Sequence, residues 1–180
     1  MANKTVTVKA SAGDYTTLNA ALAGESTDLV STLDGILTIE CYNMTDTTTA
    51  FTGTGYTTDA AHYINIIGAA SDKAAGTIGK WSTSRWRLVT TSAANPCLQI
   101  NEDYTRVTDL QFNKAGGASY SGIHADGTTG CVIDRCLFYF TGSSNSVGHG
   151  VFSGDLGAGS ISIINCIAVG AWVYGFSLRG

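Results

Sequence analysis

Three stretches in the second half of the chain share one pattern: TRVTDLQF from Thr105, CVIDRCLF from Cys131 and ISIINCIA from Ile161. Each places apolar or small residues at its first, third, sixth and eighth positions and a polar residue at its fifth. Val107, Ile133 and Ile163 therefore correspond, as do Leu110, Cys136 and Cys166, and then Phe112, Phe138 and Ala168. A second pattern lies between them. SGIHADG from Ser121, HGVFSGD from His149 and YGFSLRG from Tyr174 each put glycine ahead of a buried-type residue, namely Ile123, Val151 and Phe176. Two strands per repeat of about 25 to 30 residues, with turn-forming residues between, describe a chain wound through successive rungs. One such rung is too small to bury its own interior, so it must stack on the next.

The polar fifth position explains why each apolar run is interrupted and then resumes. A parallel β-helix turns a corner between short sheets; the corner residue faces out, and its successor returns to the interior. Asp109, Arg135 and Asn165 hold that corner in consecutive rungs. Asn tolerates the left-handed backbone such corners use, whereas Asp and Arg fit it less well. Rungs lie about 4.8 Å apart, which sets Asp109 beside Arg135. At a surface or rim this ion pair is expected to contribute about 0–1 kcal/mol.

The first half is looser. GILTIECYN from Gly35, HYINIIGAA from His62, WRLVTT from Trp86 and PCLQI from Pro96 are short apolar or alternating runs bounded by turn residues. Leu98 falls one rung before Ile123. The stretches 43–60 and 69–85 read as loops protruding from the stack. GDYTTLNAALAGES, from Gly13, is the helix candidate: Asp14 or a following Thr can cap it, and Leu18, Ala21 and Leu22 form an apolar stripe. Placed before the first rung, it covers strand edges that would otherwise invite aggregation.

Composition agrees. The chain of 180 residues has 22 Gly, one Pro and only 13% charged residues, a β-rich and turn-rich balance rather than that of a helical bundle. Its net charge of -4 and scattered basic residues give nucleic-acid binding little electrostatic support. No apolar run reaches the roughly 20 residues of a membrane span, and the start lacks a signal-peptide core, so cytoplasmic synthesis is expected. Five cysteines, at 41, 97, 131, 136 and 166, lack C-x-x-C spacing and cannot all pair within the chain. They read as buried free thiols.

The reading is an all-β fold: a right-handed, single-stranded parallel β-helix with a short N-terminal capping α-helix and five or six rungs. It forms one domain over 1–180, with the N-terminal strand and cap in 1–30, irregular early rungs with insertions in 31–104 and regular rungs in 105–180. TVTVKASAGDYTTLNAAL, the INIIG strand, DYTRVTDLQF, GCVIDRCLF and ISIINCIAVGAWVYGF together resemble the pectate-lyase-like and phage-tailspike-like β-helix superfamily. They are most similar to phage and environmental β-helix proteins. The resemblance implies this fold, and its scaffold hosts many functions.

Polysaccharide-cleaving members carry acids on neighbouring rungs with a base, an arginine or calcium. None of those motifs matches residue by residue here. The nearest approximation is Asp109, Asp134, Arg106 and Arg135, for which a structural ion-pair reading competes with a catalytic one. His62, His124 and His149 lack metal-ligand spacing, and Asp126 and Asp155 sit in turns that usually contain acids, so neither metal nor cofactor is expected. Trp81, Trp86, Tyr56, Tyr63, Tyr120, Tyr139 and Trp172 fall near turns and strand edges, placed for a sugar ring or a protein interface.

WVYGFSLRG has neither a capping helix nor a polar final rung, so further residues or another chain are expected to cover it. The expected function is a structural virion protein of a phage, a capsid decoration or cement protein or a tail or fibre module, and not an enzyme. Viral structural proteins or sibling subunits are its partners, as a homo-oligomer, with a trimer implied by the resemblance. The alternative is a carbohydrate-active β-helix, a polysaccharide lyase or hydrolase or a glycan-binding module.

Overall fold

The computed structural model describes residues 2–53, 55–71, 81–92, 94–115, 121–141, 148–154, 159–170 and 174–178. Its backbone is a parallel β-solenoid with three walls. Strand β1 (Lys4–Val8) and helix α1 (Leu18–Gly24) come first, followed by β2 (Leu37–Cys41), β3 (Thr45–Asp46) and β4 (Ala50–Phe51). The next coil carries β5 (Ile64–Gly68), β6 (Arg87–Thr90) and β7 (Leu98–Ile100); the one after it has β8 (Thr105–Thr108), β9 (Gln111–Lys114) and β10 (Ile123–Ala125). Strands β11 (Cys131–Asp134), β12 (Leu137–Phe140) and β13 (His149–Ser153) precede the last coil, β14 (Ile161–Ile164), β15 (Ile167–Gly170) and β16 (Tyr174–Leu178). The first wall is β1-β2-β5-β8-β11-β14, the second β3-β6-β9-β12-β15 and the third β4-β7-β10-β13-β16.

Alternation along each short strand turns every second side chain inward, and parallel in-register pairing then stacks like on like. In the first wall Val6, Ile39, Ile66, Val107, Ile133 and Ile163 are successive partners. The second wall stacks Leu88, Phe112, Phe138 and Ala168, with the Phe112 and Phe138 rings 5.4 Å apart and nearly parallel. The third stacks Ala50, Leu98, Ile123, Val151 and Phe176. Leu110 and Cys136 complete the core at the corner between the first two walls, both buried.

Three features differ from the sequence reading. Each eight-residue stretch is two strands meeting at its polar fifth residue, so a coil has three strands rather than two. Residues 43–60 are not a protruding loop, because β3 and β4 lie within them and supply the first coil's second and third walls. Two-residue strands in a Thr-rich run leave no periodicity to read. Within 69–85, Ala69 is buried, and the backbone N–H of Ser82 donates to Gln111 Oε1 at 2.7 Å, holding the returning chain against the second wall. Residues 72–80 lie outside the described residues.

The first wall has one strand more than the other two, and α1 fills the layer they lack. The helix packs against β1, β2 and β4 and buries Leu18, Ala21 and Leu22 completely. Thr17 caps it by accepting from the Ala20 N–H at 3.1 Å, while Asp14 instead accepts from Thr7. A buried carboxylate one coil on, Asp46, accepts the Leu18 N–H at 2.7 Å, so the helix start is tied to β3. At the other end, inward residues of the last coil meet solvent. Ile163, Cys166 and Ala168 are only partly buried, and Phe176 and Leu178 are 39% and 45% exposed.

This gradient of burial sets an order of stability costs. Ile133→Ala, in a fully dry ladder, is expected to destabilise the fold by about 2–5 kcal/mol. Ile163→Ala should cost less, because water already reaches that side chain. Urea denaturation of the two variants measures the order; equal costs, or the reverse, would contradict the stacking.

Candidate functional site

The corner between the first and second walls gathers most of the candidate charged residues. Asp109, Arg135 and Asn165 have φ values of 59°, 51° and 51°, so all three adopt the left-handed conformation, including the two less suited to it. For a residue with a Cβ this costs about 1–2 kcal/mol. Ladder hydrogen bonds hold the first two there: the Asp109 N–H donates to the Asp134 carbonyl at 3.2 Å and the Arg135 N–H to the Ile164 carbonyl at 3.0 Å. The corner also packs closely on the coil before it. A Cβ at Gly68 would lie 2.6 Å from the Asp109 carbonyl oxygen, so only glycine fits.

Side chains then connect three coils. Arg135 Nε donates to Asp109 Oδ1 at 2.9 Å and its terminal nitrogen to Oδ2 at 3.0 Å, a bidentate pair. The other terminal nitrogen donates to Asp134 Oδ2, and Asn165 Nδ2 donates to Asp134 Oδ1 at 3.3 Å. The Asp109 side chain is 1% exposed and that of Arg135 43%. The expected surface pair is therefore half buried, and the hydrogen bond from Arg135 to Asp109 pushes the guanidinium pKa further up. Removing Arg135 would leave a carboxylate in the interior.

Arg106 stands apart. It is exposed on the outer face of β8, its guanidinium 3.8 Å from the centroid of the Tyr63 ring. Every carboxylate oxygen of Asp109 and Asp134 already accepts a hydrogen bond. As arranged, the group clamps adjacent coils together.

Two of the three histidines share a neighbour: the His124 and His149 rings both pack against Phe152, with centroids 5.1 and 4.8 Å from it. His62 lies between Asp59, 2.8 Å from its Nδ1, and Asp34, 3.3 Å from its Nε2. The hydrogen bond to Asp59, aided by Asp34, raises its pKa above the ordinary imidazole value. His124 Nε2 meets Asp126 at 2.6 Å, and His149 stacks on Tyr174 with centroids 5.5 Å apart. Among the described residues no group of three or more His, Cys, Asp or Glu is placed to hold a metal ion; Asp155 lies outside them.

Two aromatics expected near the surface are core residues. Trp86 is buried edge-on to Phe112, and Tyr56 is buried with its hydroxyl donating to the Leu22 carbonyl at 2.6 Å. Inward alternation and the α1 cap claim them. Trp81 and Tyr139 stack on the outside of the second wall at 5.7 Å. Tyr120 and Trp172 lie outside the described residues.

Sequence reasoning missed two polar sites. A cleft of about 280 Å³ beside the end of α1 is lined by Lys4, Gly24, Glu25, Ser26 and Leu33, among others. There Glu25 pairs with Lys4 and accepts the Tyr15 hydroxyl at 2.8 Å, fixing helix to strand. Farther along, the fully buried Lys114 donates its ammonium to the Ser92 and Asn95 carbonyls, and burial pulls its pKa down. No local motif links such distant positions.

Compared with family models, curated proteins and solved structures, the chain matches none of them. Its β-solenoid architecture therefore rests on the coordinates, and the phage and pectate-lyase-like likeness rests on the motifs quoted above.

Two outcomes test this geometry. Arg135→Ala should destabilise the fold by about 2–3 kcal/mol in denaturant titration, between an exposed pair and a fully buried one; a loss under about 0.5 kcal/mol would show that the pair behaves as a surface contact. His62 should titrate above about 6.5 by NMR, and Asp59→Asn should lower that midpoint. Because its folded pKa is raised, the stabilisation is full below the unfolded value and is lost as pH rises through the folded one.

Proposed function

We propose that this chain is a structural β-solenoid of a phage particle, a capsid decoration or tail or fibre module, that engages its neighbours through the exposed last coil. The observation that carries the reading is the apolar surface there: Tyr174, Phe176 and Leu178 on β16 are 57%, 39% and 45% exposed. Strands β14, β15 and β16 are the outer strands of their walls, so each also presents ladder groups to whatever covers it. An apolar patch joined to open strand edges suits cover by further chain, by β-augmentation or by subunit docking more than solvent. The resemblance to phage β-helix proteins supports the virion setting and the choice of viral structural proteins or sibling subunits as partners.

Stiffness is the physical contribution. Stacked ladders bind each coil to its neighbours along the axis, so a force applied at the last coil passes through dry side-chain contacts to the α1 end. The polar clusters described above are spent on holding coils, corner and cap together.

The outer Trp81–Tyr139 stack favours one alternative, a glycan-binding or glycan-cleaving β-helix, since paired aromatic faces suit sugar rings. One set of measurements separates the two. Light scattering of the purified chain should show concentration-dependent association through an interface on the order of 1,600 Å², and the double variant Phe176→Asp, Leu178→Asp should remain folded and monomeric. A wild-type chain that stays monomeric at high concentration and depolymerises uronate polymers would replace the structural reading with the carbohydrate-active one.

A further inference from the structure

Cys136 and Cys166 occupy the same position in consecutive coils, directly after the left-handed corner residues Arg135 and Asn165. Two ladder hydrogen bonds bracket them: the Arg135 N–H donates to the Ile164 carbonyl at 3.0 Å, and the Ile167 N–H to the Cys136 carbonyl at 3.1 Å. The strands that follow keep the same register, with Leu137 paired to Ile167. That fixes the two cysteines one strand spacing apart, about 4.8 Å. Disulfides form between Cα atoms roughly 4.4–6.8 Å apart.

The sulfurs also lean along the stacking axis. Cys166 Sγ lies 3.5 Å from the Ile133 carbonyl oxygen of the preceding coil, just as Cys136 Sγ lies 3.6 Å from that of Val107. Each thiol also touches a carbonyl of its own coil, Ile164 at 3.2 Å and Asp134 at 3.4 Å, so the Cys166 sulfur lies between its own coil and that of Cys136. Their surroundings differ. Cys136 is buried, and Cys166 is half-buried in the last coil, where solvent enters. Cys41, Cys97 and Cys131 are buried as well, which leaves Cys166 as the most accessible thiol of the five.

The geometry points to Cys136 and Cys166 as an oxidant-modified thiol pair, in which Cys166 reacts with a peroxide and Cys136 resolves the product to a disulfide joining the last two coils. In the first step the Cys166 thiolate attacks a peroxide oxygen; the O–O bond breaks, Cys166 becomes a sulfenic acid and hydroxide leaves, or the alcohol from an organic peroxide. In the second, the Cys136 sulfur attacks the sulfenic sulfur, the S–S bond forms and water departs with the Cys136 proton. With hydrogen peroxide, two thiols and one peroxide give one disulfide and two waters, the thiols losing the two electrons that the peroxide gains.

Electrostatics divide the labour in the same sense. A hydrogen bond from Cys136 holds the Cys166 thiol below the ordinary thiol pKa, with Asp134 opposing. Burial, and then its bond to Cys166, pushes Cys136 well up. A half-buried thiol whose pKa is held down, beside a buried one pushed up, is the division expected of attacking and resolving cysteines. A bond formed at about 4.8 Å lies near the short end of that Cα range and is strained. Such a strained bond is of the reducible kind.

The test uses the full chain, reduced and then exposed to limiting hydrogen peroxide. Non-reducing peptide mapping by mass spectrometry should find a Cys136–Cys166 linked peptide. Cys166 should react about tenfold or more faster than Cys41 and Cys97. Cys136→Ser should stop the reaction at a Cys166 sulfenic acid that dimedone traps, and dithiothreitol should reverse the wild-type product. Should Cys136→Ser fail to fold, the competition among thiols in the wild-type chain still decides. The proposal is overturned if Cys166 reacts no faster than the buried thiols, if it cross-links only between chains, or if its sulfenic acid persists in the wild type with Cys136 free.

Discussion

Every coil of this protein depends on its neighbours for a dry interior. A three-strand coil encloses too few side chains to exclude water alone, and the structure solves this by repeating inward residues at constant register. The ladder Val6, Ile39, Ile66, Val107, Ile133, Ile163 runs the length of the first wall. Burial follows position along it. Val107 and Ile133, flanked on both sides, are fully buried, whereas Ile163 is flanked on one side and is not. The α1 cap is the same rule applied at the other end, with Leu18, Ala21 and Leu22 taking the place of strand side chains.

The corners show what stacking demands locally. To pass from the first wall to the second, the backbone must bend within one residue, and three residues in a row of coils accept the left-handed conformation to do so. Two of them are residues with little liking for it. Asp109 and Arg135 are kept there by ladder hydrogen bonds and by a bidentate pair that spans two coils. The charges therefore act between coils, and their strength comes from the burial of Asp109 more than from their number. Immediately after this corner, the same register brings Cys136 and Cys166 together.

The regular second half is legible because two short strands and the corner between them recur there as one eight-residue pattern, which aligns the Val107, Ile123 and Phe112 ladders. The first half is less so. Strands β3 and β4 have two residues each, and a dyad cannot display alternation. Gln111 is buried beneath the segment beginning at Trp81, a contact between positions 29 residues apart that no strand pattern displays. Lys114, Asp46 and the Lys4–Glu25–Tyr15 group owe their partners to chain returns of many residues, and such pairings leave no local mark. The candidate catalytic group was found as a neighbourhood, because adjacency of Asp109 and Arg135 follows from rung spacing. The burial of Asp109 and the bond from Asn165 to Asp134 do not follow from spacing. Trp86 and Tyr56 were misjudged for a related reason, since being near a turn in sequence says nothing about which side of the wall a ring faces.

The most direct test is a methyl NOESY spectrum of chain with labelled Ile and Val side chains. Consecutive coils lie about 4.8 Å apart and alternate ones about twice that. The account predicts strong cross-peaks from Val107 to Ile66 and to Ile133, and from Ile133 to Ile163, with none directly linking Val107 and Ile163. A spectrum in which Val107 and Ile133 show no contact, or in which Val107 reaches Ile163 as strongly as Ile133, would contradict it.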